Sequence, residues 1–221
     1  MMPHSFSDLY YNLQIKAWLA FKPAELFDKI NHLPWYRDTL QQWSNDLELD
    51  SGASILEAGC STGLLTNYLY QQGFSVIGAD KSPAMINKAQ SNFPALSFQE
   101  ENIFELSFEN HRFDAVIAAS LLNIVPDKAK ALTEMVRVCK QGGKVSILVP
   151  IQGFSPDGLT KLSQDLKAAQ FSKAALKAWY RLPPKMLVDD VVKLFEEAGL
   201  SKPTPITYLN GMVAGFTATK L

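Results

Sequence analysis

The sequence predicts an α/β protein: a doubly wound, mostly parallel sheet with helices on both faces and an antiparallel end. Three observations predict it. Strand-like and helix-like periods alternate from about residue 53 to 150, the pattern of βαβ units. The first strand-like run passes straight into a small-residue turn that opens a helix. Near the end of the chain, Asn210-Gly211 separates two further strand-like runs, Pro205 to Leu209 and Met212 to Thr219, the dipeptide that favours a tight hairpin.

Taken in order, residues 1 to 50 are helical in pattern, with Tyr36, Thr39, Leu40, Trp43 and Leu47 spaced for one face. Ser54 to Ala58 reads as a strand stopping at Gly59, and the helix after it carries Leu64, Leu65, Tyr68 and Leu69 on one side until Gly73 ends it. Phe74 to Ala79 is a second buried strand. Ser82-Pro83 then supplies an N-cap and a first-turn proline for a helix with apolar positions 85, 86, 89 and 93. Ala95 to Phe98 and Phe113 to Ala119 are the third and fourth strands, and Asp127 to Cys139 is a helix. Gly142-Gly143 is expected to turn the chain into a fifth strand, Lys144 to Val149. Pro150 to Gly158 reads as a loop, helical patterns follow up to Pro183-Pro184, and residues 186 to 198 form an amphipathic helix ended by Gly199. One domain over 1–221 is expected, with a helical cap (1–50), a core (51–150), a helical insertion (151–184) and a closing helix and hairpin (185–221).

Composition removes several function classes. Lys plus Arg is 21 against Asp plus Glu 22, without the basic surplus that binding phosphates favours, so nucleic acid is not an expected partner. The apolar runs are strand-sized, well below the roughly 20 residues of a bilayer span, so no membrane segment is expected. Met1 to Asp8 lacks the features of a secretory leader, which predicts a cytoplasmic protein. Cys60 and Cys139 form no spaced pair, and His4, His32 and His111 lie far apart, so no metal is expected.

Chemistry concentrates at Glu57-Ala58-Gly59-Cys60-Ser61-Thr62-Gly63. A tight turn between strand and helix lets a ligand approach the backbone, and free N–H groups at the helix start are expected to favour a carboxylate or phosphate. Asp80 ends the second strand, where a carboxylate can accept two hydrogen bonds from a ribose diol. A dinucleotide fingerprint would need glycines at 59, 61 and 64; Ser61 and Leu64 stand there instead, which disfavours NAD or FAD, and no Gly-Lys-Ser/Thr follows to make a P-loop. Cys60 has no evident base and is read as a small loop residue.

At this point the chain resembles the class I S-adenosylmethionine-dependent methyltransferases, whose first motif is an acidic residue followed by glycines at alternate positions. Glu57, Gly59 and Gly63 meet it, with Ser61 in the middle glycine's place. The resemblance implies a seven-stranded sheet in the order 3-2-1-4-5-7-6 and S-adenosylmethionine as cofactor, held by Glu57, Gly59, Cys60, Ser61, Gly63 and Asp80. Glu57 could equally bond the loop backbone. Ala79 to Met85 looks like the second motif, with Lys81 and Met85 beside the adenine. Glu101 to Phe108 looks like the third, bringing Asn102 and Ile103; Phe113 to Asp127 looks like the fourth, bringing Ser120, Leu121 and Asn123 toward the methyl-transfer site. The implied activity is methyl transfer to a small-molecule acceptor. A noncatalytic cofactor- or partner-binding module is the alternative, and a nucleotide-dependent oxidoreductase a more distant one. No catalytic base is evident; His32, Tyr10 and Tyr11 are weak candidates, and Tyr180 and Arg181 are weak candidates for an anionic substrate. Oligomeric state is not readable from the sequence.

Overall fold

A computed structural model describes residues 6–166 and 169–221; Met1 to Ser5, His4 among them, lie outside the described residues. Strands β1 (Ser54–Ala58), β2 (Ser75–Asp80), β3 (Ser97–Glu100), β4 (Phe113–Ala119), β5 (Cys139–Pro150), β6 (Thr204–Tyr208) and β7 (Val213–Thr219) form one sheet in the order β3-β2-β1-β4-β5-β7-β6. The first five pair in parallel, and β7 lies antiparallel between β5 and β6.

Both faces of the sheet are covered, which is why its central strands are apolar throughout rather than alternating. Leu56, Val116, Ala118 and Ile147 face helices α6 (Lys128–Val138) and α9 (Val188–Glu197), meeting Leu132, Met135, Val191 and Phe195. Their neighbours Ile55, Ala115, Ile117 and Leu148 face the other way, toward Leu40 and Trp43 of α3 (Pro34–Asn45) and Leu65 and Leu69 of α4 (Leu64–Gln71). Ile117 is fully buried, so truncation to alanine there costs about 2–5 kcal/mol. Trp43 lies against Gly215, where a Cβ would meet its indole at 2.7 Å, and its Nε1–H donates to Ser146 Oγ at 3.0 Å.

The local signals act as expected at α5 (Pro83–Asn92), where Ser82 Oγ accepts from Met85 N, and at α6, where Asp127 accepts from Lys130 N at 2.9 Å. Several boundaries move. The third strand starts at Ser97 rather than Ala95. Gly142-Gly143 does not turn the chain into a new strand: β5 begins at Cys139 and carries both glycines as an irregularity between its pairings with Phe113 and Ala115. Ser155 Oγ accepts from Gly158 N at 3.0 Å, so a helix, α7 (Pro156–Asp165), already starts where a loop was expected. The hairpin closes at Tyr208–Val213 through four residues rather than two, with left-handed backbone at Leu209, Asn210 and Gly211.

The two helical segments outside the sheet are not separate. α1 (Phe6–Phe21) and α2 (Pro23–Asn31) pack with α7 and α8 (Gln170–Arg181) around Ile15, Leu26, Ile30, Leu162, Phe171 and Leu176. Trp35 Nε1–H donates to Ser172 Oγ at 3.1 Å across this junction. The resulting cap sits over the carboxyl ends of the parallel strands.

Candidate active site

The turn after β1 is built from its neighbours' backbone. Gly59 N and Cys60 N both donate to the Ala79 carbonyl, at 2.7 and 2.9 Å, Ser61 N donates to Asp80 Oδ2 at 3.1 Å, and Gly63 N donates to Cys60 O at 3.0 Å. These four N–H groups are satisfied within the turn, which rigidifies it and fixes Asp80 at its rim. Asp80 Oδ1 also accepts from Ser82 N at 2.9 Å. Burial raises the Asp80 pKa, and the two backbone donors oppose the shift.

Gly63 and Gly78 supply the close packing beneath the turn. Gly63 has φ +84° and Gly78 lies on β2; a Cβ at either would come within 2.7 Å of the Phe98 ring. The close strand-to-helix approach that position 64 does not provide is therefore made at these two glycines. Thr66, also against Gly78, donates from Oγ1 to Glu57 Oε2 at 2.5 Å. Glu57 is 3% exposed, and burial pushes its carboxyl up to about 8 despite the Thr66 hydroxyl, with Asp80 adding to the rise. Glu57 faces α4, where it bonds the Thr66 hydroxyl rather than the loop backbone, and it is not among the residues that line the cleft.

That cleft, about 740 Å³, opens between the sheet and the cap. Gly59, Ser61, Asp80, Lys81 and Met85 line it on one side; Asn102, Ile103, Ser120 and Leu121 continue the wall. Cys60 and Gly63 lie behind it, Cys60 buried with Phe98 and Ile86. Asn102 Oδ1 accepts from Phe104 N at 3.1 Å, which shapes the turn leading to Ile103. Ser120 sits at the end of β4 with φ +53°, its buried hydroxyl beside the Tyr36 phenol. Left-handed backbone at a non-glycine residue on a cleft wall is the kind of feature that clusters at ligand sites.

The cap contributes residues that the sequence did not single out for the site: Phe27, Asn31 and Tyr36. Asn31 Nδ2 donates to Thr62 Oγ1 at 3.1 Å, and Asn92 Nδ2 donates to both Asp28 Oδ1 at 2.7 Å and Thr62 O at 3.2 Å, so α2 is tied to the turn and to α5. The Tyr36 ring packs edge-on to Trp35 and Trp179, and its hydroxyl lies near Ser120 and Glu57. Burial holds the phenol up at about 12, with Ser120 opposing the shift and Glu57 adding to it, so Tyr36 stays a hydrogen-bond donor at neutral pH. Helical spacing showed Tyr36 on an inward face, but a rim and a core produce the same spacing. Asn31 left no signal.

The remaining candidates do not join them. His32 is exposed at the end of α2, its Nδ1 paired with Asp28 O at 2.7 Å. Tyr10 is exposed, and Tyr11 packs on Phe171 within the cap. Asn123 is buried, donating to Pro184 O at 3.2 Å; Tyr180 donates to Phe154 O at 3.0 Å; Arg181 lines a different groove. All six were expected near the reacting centre, and all lie outside the cleft because the cap that carries most of them turns other faces toward it. Among the described residues no group of three or more acidic, His or Cys side chains forms a metal site.

A doubly wound sheet with its strand order reversing beside β1, a glycine turn and a terminal acid define a Rossmann-like domain for a nucleoside-containing cofactor. Residues 56–147 match the family described as a methyltransferase domain, and the chain is similar in fold to the class I S-adenosylmethionine-dependent methyltransferases, whose cofactor is S-adenosylmethionine. It is 34% identical over 103 residues to a phosphatidylethanolamine N-methyltransferase of Cereibacter sphaeroides, covering 44% of this chain and only half of that protein. It is 28% identical to a demethylmenaquinone methyltransferase of Shouchella clausii, covering 83% of each. Among solved structures, the magnesium protoporphyrin IX methyltransferase of Synechocystis superposes with a TM-score of 0.66 at 14% identity, covering 95% of this chain and 99% of that one. A SAM-dependent methyltransferase from Aquifex aeolicus gives 0.62 at 14% identity, covering 82% and 89%.

Proposed function

We propose that the protein transfers the methyl group of S-adenosylmethionine to a small-molecule acceptor with a substantial apolar body, bound between the cap and the carboxyl ends of the strands. One observation carries this reading: the 740 Å³ cleft joins a polar end at Asp80 to an apolar end at Leu121, Ile124, Val125 and Pro126, roofed by Phe27 and Tyr36. That volume lies in the range of about 300–1,000 Å³ usual for small-molecule sites. The named acceptors of relatives, phosphatidylethanolamine, demethylmenaquinone and magnesium protoporphyrin IX, are molecules of that kind.

The residues present fit the cofactor. Asp80 would accept from the sugar hydroxyls, Lys81, Met85 and Ile103 would flank the base, and the Ser120 hydroxyl and the turn at Gly59 and Ser61 would meet the amino-acid part. When bound, S-adenosylmethionine supplies an already activated sulfonium methyl, so the chain's task is alignment and exclusion of water. The cap does this: Asn31 holds α2 against the turn, while Phe27 and Tyr36 cover the opening. The Tyr36 phenol, held protonated, orients the acceptor or cofactor by donating a hydrogen bond. Among the described residues no histidine lines the cleft, and an acceptor proton leaves to solvent or to a carboxylate at the rim, Glu100 or Glu101.

Calorimetric titration with S-adenosylmethionine, followed by S-adenosylhomocysteine formation with fractionated cell extract, tests the reading. Turnover with the lipid or low-molecular-weight fraction is expected. Binding without turnover in any fraction would leave a noncatalytic module, turnover only with macromolecules would overturn the small acceptor, and NADH binding without S-adenosylmethionine binding would overturn the whole reading.

A further inference from the structure

The cap carries a second surface, on the far side of α1 from its packed face. From Leu9 to Phe21 the sequence has a single charged residue, Lys16, and apolar side chains all round the helix. Such a helix is normally buried on every side. Here only part of it is: Ile15 is covered, while Leu9, Tyr10 and Leu13 are each more than half exposed and Phe21 is 84% exposed. Tyr10, Leu13, Ala17 and Phe21 recur at helical spacing, forming one outward stripe.

Beside it runs a basic stripe. Lys173, Lys177 and Arg181 stand four residues apart along α8, which packs directly on α1. A groove of about 630 Å³ between the two helices is lined by Leu9, Lys16, Lys177, Arg181 and Leu182 among others. Residues 151 to 185 hold six Lys or Arg against two Asp, although the whole chain is −1.

We propose that the α1–α8 face docks the protein on an anionic lipid surface, with the apolar stripe entering the headgroup boundary and the α8 cations meeting lipid phosphates. A partner protein would be served by the apolar stripe alone, and nucleic acid by the cations alone; the pairing of the two side by side matches the chemistry of an anionic bilayer surface. Among the described residues no helix is long and apolar enough to cross a membrane, so this is attachment to a surface and not a span. Arg181, expected from the sequence to meet an anion, does so here and not in the cleft.

Vesicle flotation tests it without reference to catalysis. The protein is expected to float with phosphatidylcholine vesicles containing phosphatidylglycerol, to bind phosphatidylcholine alone at least about tenfold more weakly, and to be released as NaCl rises from about 0.1 to about 0.5 M. Lys173→Glu/Arg181→Glu should weaken binding by about tenfold or more, and Leu13→Glu/Phe21→Glu should abolish it. Both variants change surface positions, so their melting temperatures and S-adenosylmethionine titrations should match the wild type. Absence of binding to anionic vesicles, or undiminished binding by both folded variants, overturns the proposal. So does self-association lost in Leu13→Glu/Phe21→Glu, which would assign the face to a second copy of the chain, or salt-sensitive RNA or DNA binding in place of vesicle binding.

Discussion

Two left-handed glycines near opposite ends of α4 separate backbone strain from crowding. Gly63 has φ +84° and Gly73 has φ +91°, so alanine at either adopts the left-handed region at a cost of about 1–2 kcal/mol. At Gly73 nothing lies within 4 Å of the added Cβ, and that cost is the whole effect. At Gly63 the Cβ would stand 2.6 Å from Phe98 Cζ and 3.2 Å from the Ala89 methyl. The ring cannot swing aside, because the same edge, through Cδ1 and Cε1, also abuts Gly78 and the ring is buried with Cys60, Ile86 and Ala89. Overpacking adds about 1–3 kcal/mol, so Gly63→Ala should destabilise by about 2–5 kcal/mol. For a chain of this size that is a fall in Tm of roughly 4–20 °C, against roughly 2–8 °C for Gly73→Ala. Urea denaturation of both variants, with Phe98→Leu in each background, measures the difference. Phe98→Leu should recover part of the loss in Gly63→Ala and none in Gly73→Ala. Equal destabilisation by the two alanines, or no coupling to Phe98, would refute the crowding.

Asp80→Asn should weaken S-adenosylmethionine binding by about tenfold or more in calorimetry, since the amide accepts less well from sugar hydroxyls and faces the donors Ser61 N and Ser82 N with an NH₂. Glu57 has a folded pKa of about 8 against 4.5 for the free carboxyl, so its contribution is fully present below about pH 4.5 and is lost as pH rises through 8; the loss is on the order of a few kcal/mol. Glu57→Gln keeps an acceptor for Thr66, and urea titrations at pH 5 and 8.5 should show a smaller decline for it than for wild type. Ser61 has φ +52°, so Ser61→Gly should leave stability unchanged or raise it by up to about 1 kcal/mol, as read by thermal melts. Tyr36→Phe should retain the fold, keeping its ring contacts with Trp35 and Trp179, while reducing turnover in the S-adenosylhomocysteine assay.

The sequence by itself determined the strand, turn, helix and terminal acid from Ser54 to Asp80, because hydrophobic period, glycine positions and caps act within a few residues and fix local structure directly. It also carried the strand order, through the motif resemblance that begins at Glu57. Boundaries such as the start of β5 depended on pairing with β4 and could not be read locally. Only the tertiary structure decided which side chains meet across the cleft. Glu57 turned out to face Thr66, and the loop amides were taken by Ala79 and Asp80. Tyr36 and Asn31 reached the site from helices that precede it, whereas His32, one residue from Asn31, turned outward. The physical reason is that helical spacing says which residues share a face but not what that face meets. The partner surface is set by how the cap packs on residues more than a hundred positions away, as Trp35 does on Ser172.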